Sequence, residues 1–312
     1  MDKPKILFMG TPEFAVPSLE LLVANAYPVA GVVTQPDRPK GRGKALAPPP
    51  VKVCAEKHGL AIIQPERVRD ESFLAMFRAI APDMVVLVAF GQILPREIID
   101  FPQRGCLNVH PSLLPKYRGA APMNWTLIRG EVKTGVTIML MSEGVDAGDI
   151  LLQEETPVRP HETCDDLHDR LAKTGAEMLL KTITIIMDGT ARRIPQDHTL
   201  ATFAPRLKKE DGLIDWGKDA VEIVNLIRGL SSQPGAYTFL EGKKLRVLQA
   251  AAEESQGVGI PGEVGAAAPK GLPVRSKNGI VYLQDVQLES KKRMPVGEFL
   301  RGYKVAPGTV LK

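Results

Sequence analysis

The chain has 312 residues, 44% of them hydrophobic and 24% charged, with a formal net charge of +4. No run approaches the roughly 18 uninterrupted apolar residues that cross a bilayer, so no membrane partner is expected. Three cysteines, Cys54, Cys106 and Cys164, with no C-x-x-C spacing, exclude a disulfide framework. With no signal-peptide core at the N-terminus, the expected setting is cytoplasmic.

In chain order, Lys5–Gly10 reads as a buried strand ending in a turn, and the apolar spacing of Val16, Leu19, Leu22 and Val23 predicts a helix. A strand is expected at Val29–Thr34, a helix near Val51–His58 and a strand at Ala61–Ile63. A helix near Glu71–Ala81 and strands at Met84–Ala89, Leu107–His110 and Val136–Met141 follow. Short apolar strands alternating with helices predict an α/β fold, a Rossmann-like open, mostly parallel sheet covered on both faces. Thr163, with an acid three residues on, reads as the cap of a helix reaching about Met187, which Asp188-Gly189 ends. A short helix is expected at Ala220–Leu230. Strand-like runs at Leu245–Ala250, Val274–Ser276 and Ile280–Leu283 then predict a smaller C-terminal β-barrel, OB-like in class, with Ala250–Lys270 as a loop. The expected domains are 1–189 and 210–312, joined by a polar linker at 190–209. The first 207 residues carry no net charge, so the whole +4 lies in residues 208–312.

The first strand-to-helix turn, Gly10-Thr11-Pro12-Glu13-Phe14, lacks G-x-G-x-x-G, and no phosphate-loop motif occurs in the chain. This argues against a dehydrogenase or a P-loop NTPase. The segment Leu107-Asn108-Val109-His110-Pro111 is more informative. Asn108 and His110 stand two apart on a strand and share a face, while Val109 points to apolar packing. Pro111 cannot continue a central strand, so the pair sits at its carboxyl end, where open α/β sheets bind ligands. An amide beside an imidazole suits a developing oxyanion and a proton transfer; an isolated N-x-H is more often a structural histidine. Asp146, in the loop Gly144-Val145-Asp146-Ala147-Gly148, is placed either to orient His110 or simply to make a turn.

Residues 35–44 hold Arg38, Lys40, Arg42 and Lys44 against Asp37, a net +3 with two prolines and two glycines. That composition fits phosphate contacts and equally a solvated loop. His161, Cys164 and His168 hint at a metal site, but His161 precedes the helix cap and no second ligand cluster matches, so no metal is expected. Cys106 reads as buried packing. Trp125 and Trp216 read as core or cleft walls.

Gly10–Phe14, Asn108-Val109-His110-Pro111-Ser112-Leu113-Leu114-Pro115-Lys116-Tyr117-Arg118-Gly119 and Val145-Asp146-Ala147-Gly148-Asp149-Ile150 together resemble the formyltransferase family that uses 10-formyltetrahydrofolate. The resemblance implies that Asn108, His110 and Asp146 form the catalytic triad and that Ser112, Leu113, Leu114 and Pro115 line the folate cleft. The basic loop, the Arg118-Gly119-Ala120-Ala121-Pro122 continuation and the C-terminal β region resemble the branch acting on methionyl initiator tRNA. For that branch the resemblance implies tRNA contacts from the basic loop (Arg38, Lys40, Arg42, Lys44), with Arg42 foremost. It likewise implies tRNA binding by the C-terminal domain, to which the Lys208-Lys209 pair at the linker's end is assigned. Nothing demands a dimer, so a monomer is expected. The likeness is strong to about residue 190 and weak after 240. One departure is Ser231-Ser232-Gln233-Pro234-Gly235-Ala236-Tyr237, where the family tends to have Trp before Pro-Gly-Ala. Two other readings stand beside it. One is a sugar-nucleotide N-formyltransferase, which would share N-x-H and Asp. The other is a non-catalytic RNA-binding protein, against which the retention of all three polar residues argues.

Overall fold

The run Ile6-Leu7-Phe8-Met9 is too short for a helix and has no polar face, so it is satisfied only as a strand covered on both sides. In the computed structural model, which describes residues 2–40, 45–255 and 259–312, it is β1 (Ile6–Gly10), buried at every position. Around it the chain continues as α1 (Val16–Ala24), β2 (Val29–Val33), β3 (Arg38–Lys40), β4 (Ala45–Ala47), α2 (Pro50–Lys57), β5 (Ile62–Ile63), α3 (Glu71–Ile80), β6 (Met84–Val88), α4 (Arg96–Asp100) and β7 (Cys106–His110). Then come α5 (Pro122–Ile128), β8 (Lys133–Leu140), β9 (Ile150–Pro157) and α6 (Cys164–Met187). The C-terminal elements are α7 (Ala220–Leu230), β10 (Ala236–Leu240), β11 (Lys243–Glu254), β12 (Leu272–Arg275), β13 (Gly279–Leu288), β14 (Met294–Pro295) and α8 (Val296–Gly302).

Internal contacts divide the chain into two compact units. The first comprises Met1–Gly119, Thr134–Thr156 and His168–Phe203; the second comprises Ala120–Lys133, Pro157–Leu167 and Ala204–Lys312. Residues 190–203, expected as linker, thus group with the first unit.

The first unit is built on a seven-stranded sheet in the order β5-β2-β1-β6-β7-β8-β9. The ladders from β5 to β7 are parallel, and β8 runs antiparallel to β7. The expected strands and helices of this half are present to within a few residues. The sequence reading missed β9, whose Gln153-Glu154-Glu155 stretch is polar and exposed. It also missed the β3–β4 hairpin, in which Arg38 pairs with Ala47 and Lys40 with Ala45. Phe73, Phe77, Val85, Leu87, Ile98 and Cys106 form one buried cluster on this sheet.

The second unit has a five-stranded antiparallel sheet, paired along β10-β11-β13-β12 with β14 on β13. The α7 helix spans the expected residues, with a capping box between Asp219 and Glu222. It buries Ile223, Ile227 and Leu230 in one cluster with Leu245, Val247 and Leu283. Trp216 lies in that core and its indole N–H donates to Thr238 Oγ1 at 3.1 Å, so it is a wall residue. Ala250–Glu254, expected as loop, continues β11 because each residue is paired with β13, from Ala250 on Leu283 to Glu254 on Gly279. Tertiary pairing overrides the weak strand preference of Ala and Glu here.

Phe77 is 1% exposed and stacks edge-on against Phe101 at 5.2 Å. Phe77→Ala should cost about 3–5 kcal/mol of stability, read as a lower denaturant midpoint. A cost below about 1 kcal/mol, well short of the usual range, would show that Phe77 does not anchor this cluster.

Candidate active site

The strand that holds Asn108 and His110 is β7, buried at all five positions. It lies between β6, which pairs Leu87 with Asn108, and β8, which pairs His110 with Thr137. Leu107 and Val109 take one face. Gly175 of α6 packs so closely there that a Cβ would stand 2.7 Å from Val109 Cγ1. Asn108 and His110 take the other face, 7% and 4% exposed.

Asp146 comes from the loop between β8 and β9 and reaches the same place. Its Oδ2 accepts the Gly119 N–H at 2.8 Å and stands 3.7 Å from His110 Nδ1. Its Oδ1 is 3.5 Å from Asn108 Nδ2, the outer limit of a hydrogen bond. The three residues singled out from the sequence are therefore brought together. The other ring nitrogen of His110, Nε2, lies 3.0 Å from the Tyr117 carbonyl. A carbonyl only accepts, so Nε2 carries the hydrogen and Nδ1 is the nitrogen left for exchange on the Asp146 side. Such contacts are often long in a ligand-free site and tighten around substrate.

The Asp146 loop is strained. Asp146 has φ +46°, a left-handed conformation that costs a non-glycine residue about 1–2 kcal/mol. Two residues on, Gly148 passes the Leu140 carbonyl so closely that a Cβ would stand 1.8 Å away. The Leu140 N–H to Asp149 carbonyl bond, 2.9 Å, closes the loop, which gives Asp149 a turn role.

Ser112, Leu113, Leu114 and Pro115 follow β7 directly. Ser112 is fully buried and its hydroxyl donates to the Lys116 carbonyl at 2.7 Å. Thr137 Oγ1 donates to the Ser112 carbonyl and accepts the Leu114 N–H, and Gln153 Nε2 donates to both Thr137 Oγ1 and the Leu114 carbonyl. Leu114 is buried against Met139 and Ile150. Pro115 offers its carbonyl to Thr202 N–H at 3.3 Å. The segment is thus a fixed wall beside His110.

Sequence reasoning missed several residues at this edge of the sheet. Thr137 and Gln153 act on backbone atoms, which leaves no local signature. The turn after β6 holds Ala89 at φ +46°, and the Phe90 carbonyl accepts from Thr11 Oγ1 at 2.9 Å. Next to it, Gln35, Arg67, Arg69, Gln92 and Ile93 line a cavity of about 340 Å³. An apolar strand running into Ala89-Phe90-Gly91-Gln92 at a carboxyl edge was the available signal. Gln196, in the stretch expected as linker, donates to the Asp146 and Gly148 carbonyls.

Of the basic residues, Arg38 forms an exposed ion pair with Glu66 at 3.4 Å. Asp37 pairs with Lys52 at 2.8 Å. Its carboxyl is held below the usual range by hydrogen bonds from Gln64 and Lys52. Lys40 ends β3, and Arg42 and Lys44 lie outside the described residues. In the second unit, Lys208 N–H donates to Asp211 at 2.7 Å. Lys209 neighbours Lys244, whose ammonium sits 3.3 Å from the Tyr237 ring centre. Burial, then Arg246 and Lys209, push the Lys244 pKa down. Arg246 donates to the Ser232 and Pro234 carbonyls, so a guanidinium braces the segment where the family's Trp is missing.

Among the described residues, the three-ligand grouping is Glu20, Cys54 and His58, within 4.8 Å of one another. His161, Cys164 and His168 form none. Burial pushes the Cys164 thiol up to about 12 and the Cys106 thiol well above its usual value, which suits packing rather than nucleophilic attack.

The sequence profile described as formyl transferase matches residues 4–183, and that described as formyl transferase, C-terminal domain, matches residues 206–304. A methionyl-tRNA formyltransferase of Syntrophus aciditrophicus is 58% identical over 311 residues, covering 100% of both chains. One of Geotalea uraniireducens is 50% identical, covering 98% of this chain and 97% of its own. Among solved structures, HypX from Aquifex aeolicus in complex with tetrahydrofolic acid has a TM-score of 0.64 at 21% identity, over 97% of this chain and 49% of that one. WlaRD, a sugar 3N-formyl transferase, has a TM-score of 0.67 at 19% identity, over 92% and 98%. With both domain profiles matched in order and full-length relatives at half identity or more, this chain belongs to the formyl transferase family and groups within it with the methionyl-tRNA formyltransferases.

Proposed function

We propose that the chain transfers the formyl group of 10-formyltetrahydrofolate to the free α-amino group of methionyl initiator tRNA. The observation that carries the choice of acceptor is the full-length identity of up to 58% to relatives bearing the methionyl-tRNA formyltransferase name. Residues 1–189 carry the transfer, residues 210–312 hold the tRNA, and 190–209 join them. The protein acts as a cytoplasmic monomer.

The neutral amine attacks the formyl carbon, forming a C–N bond and a tetrahedral oxyanion. Asn108 Nδ2 donates a hydrogen bond to that oxygen. His110 works through Nδ1, because Nε2 is engaged with the Tyr117 carbonyl. Nδ1, which carries no hydrogen in the neutral ring, takes up the proton lost by the attacking amine and passes it to the departing N10 nitrogen as the C–N10 bond breaks. Asp146 steadies the imidazole and takes part in moving the proton lost by the attacking amine. Ser112, Leu113, Leu114 and Pro115 form the wall against the folate. No metal has a role in these steps. Arg38, Lys40, Arg42, Lys44, Lys208 and Lys209 contact tRNA phosphates.

Removal of one oxyanion donor typically costs about 10²–10³ in turnover. Asn108→Ala should lower kcat by that factor and leave folate binding nearly unchanged, measured as formyl transfer to charged initiator tRNA. Equal activity would remove Asn108 from the reaction. Transfer to amino sugars on nucleotides instead of tRNA would move the chain to the sugar branch.

The phosphate contacts give a second test. Each neutralised phosphate releases condensed counterions, so log affinity falls linearly with log salt, with a slope near −0.9 per contact for a duplex. A Lys208→Gln, Lys209→Gln double variant should bind methionyl initiator tRNA more weakly and with a shallower salt slope. An unchanged slope would take both residues out of the interface.

A further inference from the structure

We propose that Gln196 is a positioning residue for formyl transfer, holding the strained loop that presents Asp146; this rests on the reading of Asp146 as part of the reacting group. Gln196 is 6% exposed, and its amide is saturated with hydrogen bonds. Both amide hydrogens go to the Asp146 loop, to the Asp146 carbonyl at 2.9 Å and the Gly148 carbonyl at 2.7 Å. The amide oxygen accepts from Arg118 at both Nε, 3.1 Å, and Nη2, 2.6 Å. The guanidinium fixes which way the amide faces, since the flipped form would set NH2 against N–H donors. Arg118 is itself 5% exposed, and its Nη2 lies 3.0 Å from His198 Nδ1.

The two-residue step Arg118-Gly119 therefore grips Asp146 twice. Gly119 N–H binds the carboxylate directly, and Arg118 braces the backbone through Gln196. A residue at φ +46° stays there only where the surroundings fix it. The identity of residue 196 shows what it serves. If it served only to pair with buried Arg118, a carboxylate would do so better. A carboxylate, though, would face the two loop carbonyls with no N–H to offer. An amide gives up pairing strength with Arg118 and gains both loop bonds. A displacement of about 1 Å at a reacting group can cost on the order of 100-fold in rate, so losing this clamp lowers turnover without touching either substrate.

The test compares Gln196→Glu, which keeps the Arg118 pair and loses both loop donors, with Gln196→Met, which is of similar length and uncharged. Each is made alone and in an Asp146→Asn background, and formyl transfer to methionyl initiator tRNA is assayed well below each variant's melting temperature. In the native background kcat should fall about 10- to 100-fold, with KM for 10-formyltetrahydrofolate and for tRNA within about twofold. In the Asp146→Asn background the further loss should be under about twofold, since the two residues act as one unit. Gln196→Glu at the native kcat, a loss confined to KM, or equal losses in both backgrounds would overturn the inference. The Met variant decides the matter if burying a glutamate prevents folding. Asp146→Asn at the native rate would instead sink the reading of Asp146 on which the inference stands. Impaired Asp146→Asn beside normal Gln196 variants would sink the inference alone.

Discussion

A proline has no N–H to give a sheet ladder, and at Pro111 this chain ends the buried strand β7 beside Asn108 and His110, the two residues proposed to carry its chemistry. Because side chains alternate along β7, packing Leu107 and Val109 against apolar neighbours leaves Asn108 and His110 on the opposite face. Ending the ladder there frees the backbone to turn. The turn returns the Tyr117 carbonyl to His110 Nε2. A slip of one residue in β7 would send Asn108 and His110 into the helix-covered face. The close packing of α6 at Gly175 against Val109 leaves no room for that slip.

The second constraint is the arrival of a carboxylate from 36 residues away. Coming off β8, the chain has to turn back into β9 while aiming Asp146 at β7. The geometry needs a glycine where Gly148 passes the Leu140 carbonyl, and it leaves Asp146 left-handed. Local sequence favours neither feature enough to hold it. What holds it comes from two distant stretches, 118–119 and 196, which are tied to each other by the Arg118–Gln196 bonds. The site is over-determined by backbone contacts, a property suited to preorganised catalysis.

This explains which parts were legible in the sequence. The β1 strand and the α7 helix have strong periodic patterns with caps or turns at their ends, and both were found. Asn108 and His110 were visible because strand periodicity puts them on one face before a proline. Asp146 by itself reads equally as a turn residue and as a partner for His110, and only the family resemblance favours the second. Gln196 and Thr137 were not visible, because each works on main-chain atoms far away in sequence, and a lone Gln or Thr carries no trace of that. The end of β11 was missed for the opposite reason: Ala250–Glu254 has poor strand propensity, and its pairing with β13 decides the matter. The basic residues were legible as charge but not as geometry. Arg38 turned out to be paired with Glu66, while Lys244 and Arg246, unmarked in sequence, join Lys209.

The division of charge fits the proposed reaction. Formyl transfer joins a neutral amine to an uncharged N-formyl group, and charge develops only briefly on one oxygen and two nitrogens. In the proposed mechanism oriented dipoles and one imidazole meet that need, and a strong net field would favour ionised states that do not react. The first 207 residues sum to zero charge. A polyanionic acceptor has the opposite need: a net positive surface speeds its arrival and raises its affinity in a salt-dependent way. The whole +4 excess lies in residues 208–312, the part with the cationic group of Lys209, Lys244 and Arg246. On the proposed reading, with acceptor binding assigned to residues 210–312, cation content can be tuned there without disturbing the proton balance around His110. In a single-domain enzyme, both demands would fall on one surface.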